Sequence, residues 1–128
     1  MKDINDHKIA NVINMDSEDR YLYFIRKITD FEEVWGLYNE GWATATNDEN
    51  QQIVLFWPEK QFANLCAQNI LSNYEARNIN LTQFMEKWLP GMKKDNTFAG
   101  IFYTPKGKGI VLEPDQVLMD INEELKQY

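Results

Sequence analysis

The run Ile53-Val54-Leu55-Phe56-Trp57, closed by Pro58, constrains the fold more than any other stretch of this chain. Five apolar residues in succession fall far short of the roughly 20 needed to cross a bilayer. They suit a strand covered on both faces, because alternate side chains point to opposite sides of a sheet and here neither set is polar. Pro58 lacks a backbone N–H and fixes φ, so it ends the strand and can start only a helix. Phe62, Leu65 and Cys66 follow at the spacing of a buried helical face, which predicts a helix lying on the sheet.

A strand buried on both faces needs neighbours. Val34-Trp35-Gly36-Leu37-Tyr38 and Trp42-Ala43-Thr44-Ala45-Thr46, joined by Asn39-Glu40-Gly41, read as a hairpin over residues 34–46, since Asn and Gly tolerate the positive φ of a three-residue turn. Phe98-Ala99-Gly100-Ile101-Phe102-Tyr103 and Ile110-Val111-Leu112 read as a second hairpin, closed by the Pro- and Gly-containing segment 104–109. Residues 47–52 form a polar loop, and residues 74–79 read as extended.

The remaining segments have helical spacing. Ile9, Val12 and Ile13 predict a short helix over residues 4–14, so that residues 1–16 form a loosely docked N-terminal element. Ser17 is placed as the cap of a longer helix, with Glu18 and Asp19 at its positive end, Arg26 and Lys27 at its negative end, and Tyr21, Phe24, Ile25 and Ile28 as its buried stripe. Asn80, with Gln83 three residues later, starts a helix that turns Leu81, Phe84, Met85 and Trp88 inward and ends at Pro90-Gly91. Pro114 opens a last helix with Val117, Leu118, Ile121 and Leu125 inside and Asp115, Asp120, Glu123 and Glu124 facing water. The echo between Phe56-Trp57-Pro58-Glu59-Lys60-Gln61-Phe62 and Val111-Leu112-Glu113-Pro114-Asp115-Gln116-Val117 reflects repeated helix-start chemistry rather than a duplication. A chain of 128 residues supports one core. The expected fold is a single α+β domain over residues 1–128, with a mostly antiparallel five- or six-stranded sheet and four or five helices packed on it.

Charge narrows the function classes. The net charge is −7, with twelve acids against five bases in residues 1–59 and five acids without a base in residues 113–124. Such a surface disfavours nucleic acid, whose phosphates need a positive partner, and would attract a basic protein. The first residues lack the basic stretch and the roughly 7–15 apolar residues of an export signal, and the single Cys66 allows no internal disulfide, so the expected location is the cytoplasm. No segment suits a membrane.

The chemistry-bearing residues are sparse. His7 is the only histidine and lies in the N-terminal segment, away from Cys66 or any serine it could activate, which argues against nucleophilic triads. One His and one Cys cannot build a zinc site of the usual ligand types, and no metal or cofactor is expected. Asn47-Asp48-Glu49-Asn50 gathers oxygens without the spacing of a calcium loop. The turn from Thr104 to Gly109 lacks the helix that follows a phosphate-binding loop. Carboxylate pairs are abundant, but nothing selects one as acid and base. The most unusual feature is the group Trp35, Tyr38, Trp42 and Trp57 on neighbouring strands; these are the candidate binding residues, with core packing as the competing role.

The strings Arg20-Tyr21-Leu22-Tyr23-Phe24-Ile25-Arg26-Lys27-Ile28-Thr29-Asp30, Glu33-Val34-Trp35-Gly36-Leu37-Tyr38, Gly41-Trp42-Ala43, Phe56-Trp57-Pro58, Glu75-Ala76-Arg77, Phe84-Met85-Glu86-Lys87-Trp88-Leu89-Pro90 and Glu113-Pro114 together resemble an uncharacterised bacterial family, domain of unknown function 2750. The resemblance runs from about Ser17 through nearly the whole chain. It implies a small bacterial cytoplasmic domain and carries over no activity or catalytic residue. In that family the Trp-Pro step is usually followed by His, where this chain has Glu59, and the departure weakens an enzymatic reading of the step.

The leading expectation is a non-catalytic protein-interaction domain that binds a basic protein, for instance by neutralising a toxin, with aromatic anchors and an acidic rim. The alternatives are a small-molecule-binding domain or minor carboxylate-based enzyme with a pocket at the sheet surface, and a homodimer formed through the aromatic face or a hairpin edge.

Overall fold

The computed structural model describes residues 6–68 and 71–128. The apolar run becomes β3 (Gln52–Phe56), in which Ile53, Leu55 and Phe56 are buried and beyond which Trp57 makes an isolated bridge. On one side β3 pairs antiparallel with β2 (Thr44–Thr46). On the other it pairs in parallel with β5 (Phe98–Ile101), which pairs antiparallel with β6 (Ile110–Leu112). A second, two-stranded sheet pairs β1 (Glu33–Tyr38) with β4 (Glu75–Asn80), antiparallel.

The architecture is therefore α+β with six strands, as the pattern implied, but the single mostly antiparallel sheet is not what forms. The strands divide into a mixed four-stranded sheet of order β2-β3-β5-β6 and the separate β1-β4 pair. β1 lies against β3, and the two sheets are bridged where Trp35 and Trp57 exchange backbone hydrogen bonds of 2.9 and 2.8 Å. The parallel step arises because the chain between β3 and β5 contains helices and β4, long enough to return β5 in the same direction as β3.

The hairpin expected over residues 34–46 also fails, although the second one, over residues 98–112, forms as β5 and β6. β1 finds its partner in β4, and β2 pairs forward with β3. Only the Tyr38–Trp42 bridge survives of the first hairpin, around a turn in which Asn39 N–H reaches Gly41 O at 2.9 Å. A Cβ on Gly36 would lie 2.9 Å from Trp42 Cε3. The Trp42 ring thus lies against Gly36 of β1, with no room for a side chain between them.

The helices are α1 (Asp6–Ile13), α2 (Ser17–Phe31), α3 (Lys60–Cys66), α4 (Leu81–Gln83), α5 (Leu89–Lys94) and α6 (Pro114–Leu125). Residues 4 and 5 of the first expected helix lie outside the described residues; Val12 of α1 is buried. Asp16, not Ser17, caps α2, its carboxylate accepting Asp19 N–H at 2.8 Å. That helix runs past Arg26 and Lys27, so neither meets its negative end; Lys27 Nζ instead lies 5.5 Å from the Tyr23 ring centre. The expected stripe of Tyr21, Phe24, Ile25 and Ile28 is buried. Pro58 stands before α3 rather than opening it, and Glu59 takes the capping position.

Pro90-Gly91 does not stop its helix either. Asn80 accepts Gln83 N–H at 3.3 Å, α4 passes into a π-helical turn (Phe84–Trp88), and α5 carries Pro90 in its first turn. Leu89 N–H bonds to Phe84 O five residues back. Proline in an ordinary helix clashes with the carbonyl four residues earlier; the wider turn absorbs that conflict and lets the helix run on. Pro114 does open α6, but Leu125 at its end is exposed, and Asp120 accepts a 2.5 Å hydrogen bond from the Tyr21 hydroxyl instead of facing only water.

Candidate functional site

Alternation along β1 and β3 decides where the aromatic residues go. Trp35 and Trp57 are opposite one another and share a face with Ile53 and Leu55, beneath α3. Trp57 is fully buried; its indole N–H donates to Tyr103 O at 2.9 Å, and the Cys66 thiol donates to the same carbonyl at 3.3 Å. Trp35 is half-buried, with its indole N–H on Glu33 Oε2 at 2.9 Å. Tyr38 and Trp42 belong to the other face. The four residues do not form one surface.

On that second face the rings make a row. Tyr38 meets Trp42 at 5.1 Å between centroids, Trp42 meets Trp88 at 4.9 Å, and Trp88 meets Phe56 at 5.9 Å, all edge to face. Phe56 continues to Phe84 at 4.9 Å. Phe56 and Phe84 are buried, whereas Trp88, Trp42 and Tyr38 are only partly buried, so the row climbs from the core toward the surface. The Arg77 guanidinium caps its outer end, 4.3 Å from the Tyr38 ring centre, while pairing with Glu75 at 2.7 Å. Glu75, opposite Tyr38, places a carboxylate at the outer end of the row, and exposed Glu40 lies in the turn that follows Tyr38.

Trp88 and Arg77 were not among the residues expected to bind. Trp88, expected as an inward helical position, does pack on buried Phe56, and its other contact, with Trp42, is a long-range one that local spacing does not show. Arg77 belongs to an extended segment and to the string Glu75-Ala76-Arg77 of the family resemblance, but nothing local places it beside Tyr38, because its pairing with β1 is long-range.

A smaller arrangement occupies the carboxyl ends of the parallel strands β3 and β5, the usual place for ligands in sheets with parallel strands. Leu55, Trp57, Cys66, Leu71, Tyr103 and Pro105 line a cavity of about 260 Å³ there. Phe102, at the end of β5, is buried with φ 62°, a left-handed conformation costly for an aromatic residue. Arg20 holds it: the buried guanidinium donates to the carbonyls of Phe102, Ile13, Met15 and Lys108 at 3.3, 3.4, 2.6 and 3.2 Å. Next to it Tyr23 donates to the Glu59 carboxylate, with Phe62 and Phe102 around the phenol. Burial, then the Glu59 carboxylate, holds the Tyr23 hydroxyl above its ordinary pKa. Burial pushes the Cys66 thiol up to about 11, which leaves little thiolate at neutral pH.

The chain belongs to the family described as protein of unknown function, DUF2750. Its model matches residues 21–121. No curated protein matches the chain. The matched segment opens inside α2 and closes inside α6, so it takes in both sheets, the aromatic row, Glu59 and Tyr103, and leaves α1 outside.

The other sequence candidates are accounted for locally. His7 is exposed on α1. Asn47 Oδ1 accepts the N–H groups of Glu49 and Gln51 at 3.0 and 2.9 Å, so the oxygen-rich loop satisfies its own backbone. Thr104 and Gly107 close their turn with bonds of 2.9 and 3.1 Å. Among the described residues no group of three His, Cys, Asp or Glu side chains converges as metal ligands, and no helix is long and apolar enough to cross a membrane.

Proposed function

We propose that this chain is a non-catalytic protein-interaction domain whose partner is a basic protein, and that the partner lands on the row Tyr38–Trp42–Trp88. The observation that carries the reading is the partly exposed, edge-to-face aromatic row with Arg77 at its end. Trp, Tyr and Arg are the residues that most often dominate binding energy at interfaces, and rings already locked against Gly36 and Phe56 lose little freedom when a partner covers them. Glu75 stands at the outer end of the row, exposed Glu40 lies in the adjoining turn, and the net charge of −7 would attract a basic partner. Neutralisation of a basic toxin is the form this reading takes in a cell.

The test is affinity capture from the source cells with the wild-type chain and with Trp42→Ala, eluting in steps of salt. A stoichiometric basic protein that Trp42→Ala fails to capture, and that salt releases, supports the reading. Equal capture by both chains, or no stoichiometric partner at all, counts against it.

A second reading, small-molecule binding, is favoured by one observation: the cavity of mixed polarity beside Trp57 and Tyr103 at the carboxyl ends of β3 and β5. At about 260 Å³ it is smaller than the ~300–1,000 Å³ usual for ligand pockets, which is why it ranks below the aromatic row.

A further inference from the structure

A groove of about 620 Å³ lies at the opposite, amino ends of β3 and β5. Gln52 of β3, Lys93 at the end of α5, Asp95, Thr97, and Glu113 and Asp115 at the start of α6 line it. Three carboxylates thus meet one ammonium, and Lys93 Nζ is already 2.7 Å from Asp115 Oδ2. Asp95 and Glu113 have no ion-pair partner among the described residues. Asp115 first, and Glu113 through space, hold Lys93 above its ordinary pKa, so the Glu113 charge is felt inside the groove.

Thr97 supplies an independent observation. It is only 9% exposed, and its backbone N–H is satisfied by Met92 O at 2.9 Å, yet its hydroxyl has no hydrogen-bond partner among the described residues. The hydroxyl is not sealed off from solvent, and Thr97 lines the groove, so a bound group there could reach it. An anion is disfavoured there. Pro114 has no N–H, and those of Gln116 and Val117 both go to Glu113 O, so the start of α6 has Asp115 N–H alone to offer an anion, and it does so amid three carboxylates.

We propose that this groove binds an alkylammonium group, with the Thr97 hydroxyl accepting one of its N–H bonds and Asp95 and Glu113 supplying the opposing charge. Such a group could arrive on a free polyamine or on a lysine side chain of a protein. The lysine form rests on the basic-partner reading above; the polyamine form does not.

The experiment is a titration of the ¹⁵N-labelled full chain with spermidine and, separately, with a tetralysine peptide. Salt is kept at about 0.15 M, where charges more than ~8 Å apart are largely screened. Saturable shifts at Thr97, Phe98 and Asp115 are expected. Thr97→Val, which leaves net charge unchanged, should weaken binding about tenfold, the ratio that losing one hydrogen bond to a charged group implies. Thr97→Ser should retain it. Asp95→Asn with Glu113→Gln should weaken binding at least about tenfold, and Glu18→Gln with Asp19→Asn, which removes the same charge from α2, less than about twofold. Tighter binding of tetralysine assigns the site to a protein's lysine, and tighter binding of spermidine to a free amine. Absence of localised shifts up to roughly 10 mM of either probe, indifference to Thr97→Val, or an equal loss in the α2 control overturns the proposal. If the groove fails while Trp42-dependent capture persists, the interaction reading stands without it; loss of that capture alone leaves spermidine binding intact.

Discussion

Phe56 and Trp57 are both buried on opposite faces of the central strand, but the rings packed around them differ in fate. On the α3 face, Trp57 is sealed, its one polar atom is met by Tyr103 O, and the neighbouring backbone is clamped by Arg20. On the other face, the rings run outward from Phe56 and Phe84 through Trp88 and Trp42 to Tyr38 and Arg77 at the rim. One chemistry therefore does two jobs. A ring whose edges and polar atom are all met by protein contributes stability, and a ring met on one side retains area for a partner.

Substitutions should separate the two faces, and the largest effect belongs to the sealed one. Trp57→Ala removes a fully buried indole and leaves Tyr103 O short of a donor; denaturant unfolding should show a loss of about 3–5 kcal/mol. Arg20→Met deletes the side chain that spans Ile13, Met15, Phe102 and Lys108, and should cost about 2–4 kcal/mol by the same measurement, because several buried carbonyls lose partners at once. A stability loss below about 1 kcal/mol for either variant would erase the contrast.

Smaller effects sharpen the other face. Gly36→Ala puts a methyl 2.9 Å from Trp42 Cε3, so Trp42 must shift; an expected stability loss of about 1–3 kcal/mol should come with a changed near-ultraviolet circular dichroism signal. Trp42→Ala should cost less stability than Trp57→Ala while having the larger effect on partner capture. The reverse ranking in capture would move the binding role to the α3 face.

The smallest effect is alkaline. The Cys66 thiol is raised from its ordinary 9 to about 11 in the fold, so the unfolded chain releases its proton first. Stability that is fully present below pH 9 should therefore fall as pH rises toward 11. The Tyr21 and Tyr23 hydroxyls, also raised by burial and by Asp120 and Glu59, add a fall in the same direction above pH 10. Unfolding curves of wild type and Cys66→Ala should converge in relative stability below pH 8 and separate above pH 9. Parallel curves throughout would mean that the thiol is not shielded.

Local chemistry made much of the fold legible in the sequence. The double burial of β3, the stripe of α2, the Asn80–Gln83 cap and Pro114 at the start of α6 each follow from residues within a few positions of one another. The partners of β1 and the parallel direction of β5 do not, because they depend on how α3 and the α4–α5 segment route the chain. Proline misled in one place for a definite reason: a π turn before Pro90 relieves the clash that would otherwise end the helix, and nothing in Phe84-Met85-Glu86-Lys87-Trp88 announces it. The place of Trp88 in the aromatic row depends on its long-range contact with Trp42, which local spacing does not show. The candidate group Trp35, Tyr38, Trp42 and Trp57 was visible as a concentration of rings, but its division between faces required the register that pairs Trp35 with Trp57.

That division can be read directly from the four indole N–H signals in a ¹H–¹⁵N spectrum, assigned with single Trp→Phe variants and followed by solvent exchange. The Trp57 signal should exchange slowest by orders of magnitude, since its proton is buried on Tyr103 O, and Trp42 and Trp88 should exchange much faster. A Trp57 indole that exchanges as fast as Trp42 would contradict the account, because the two faces would then be equally open.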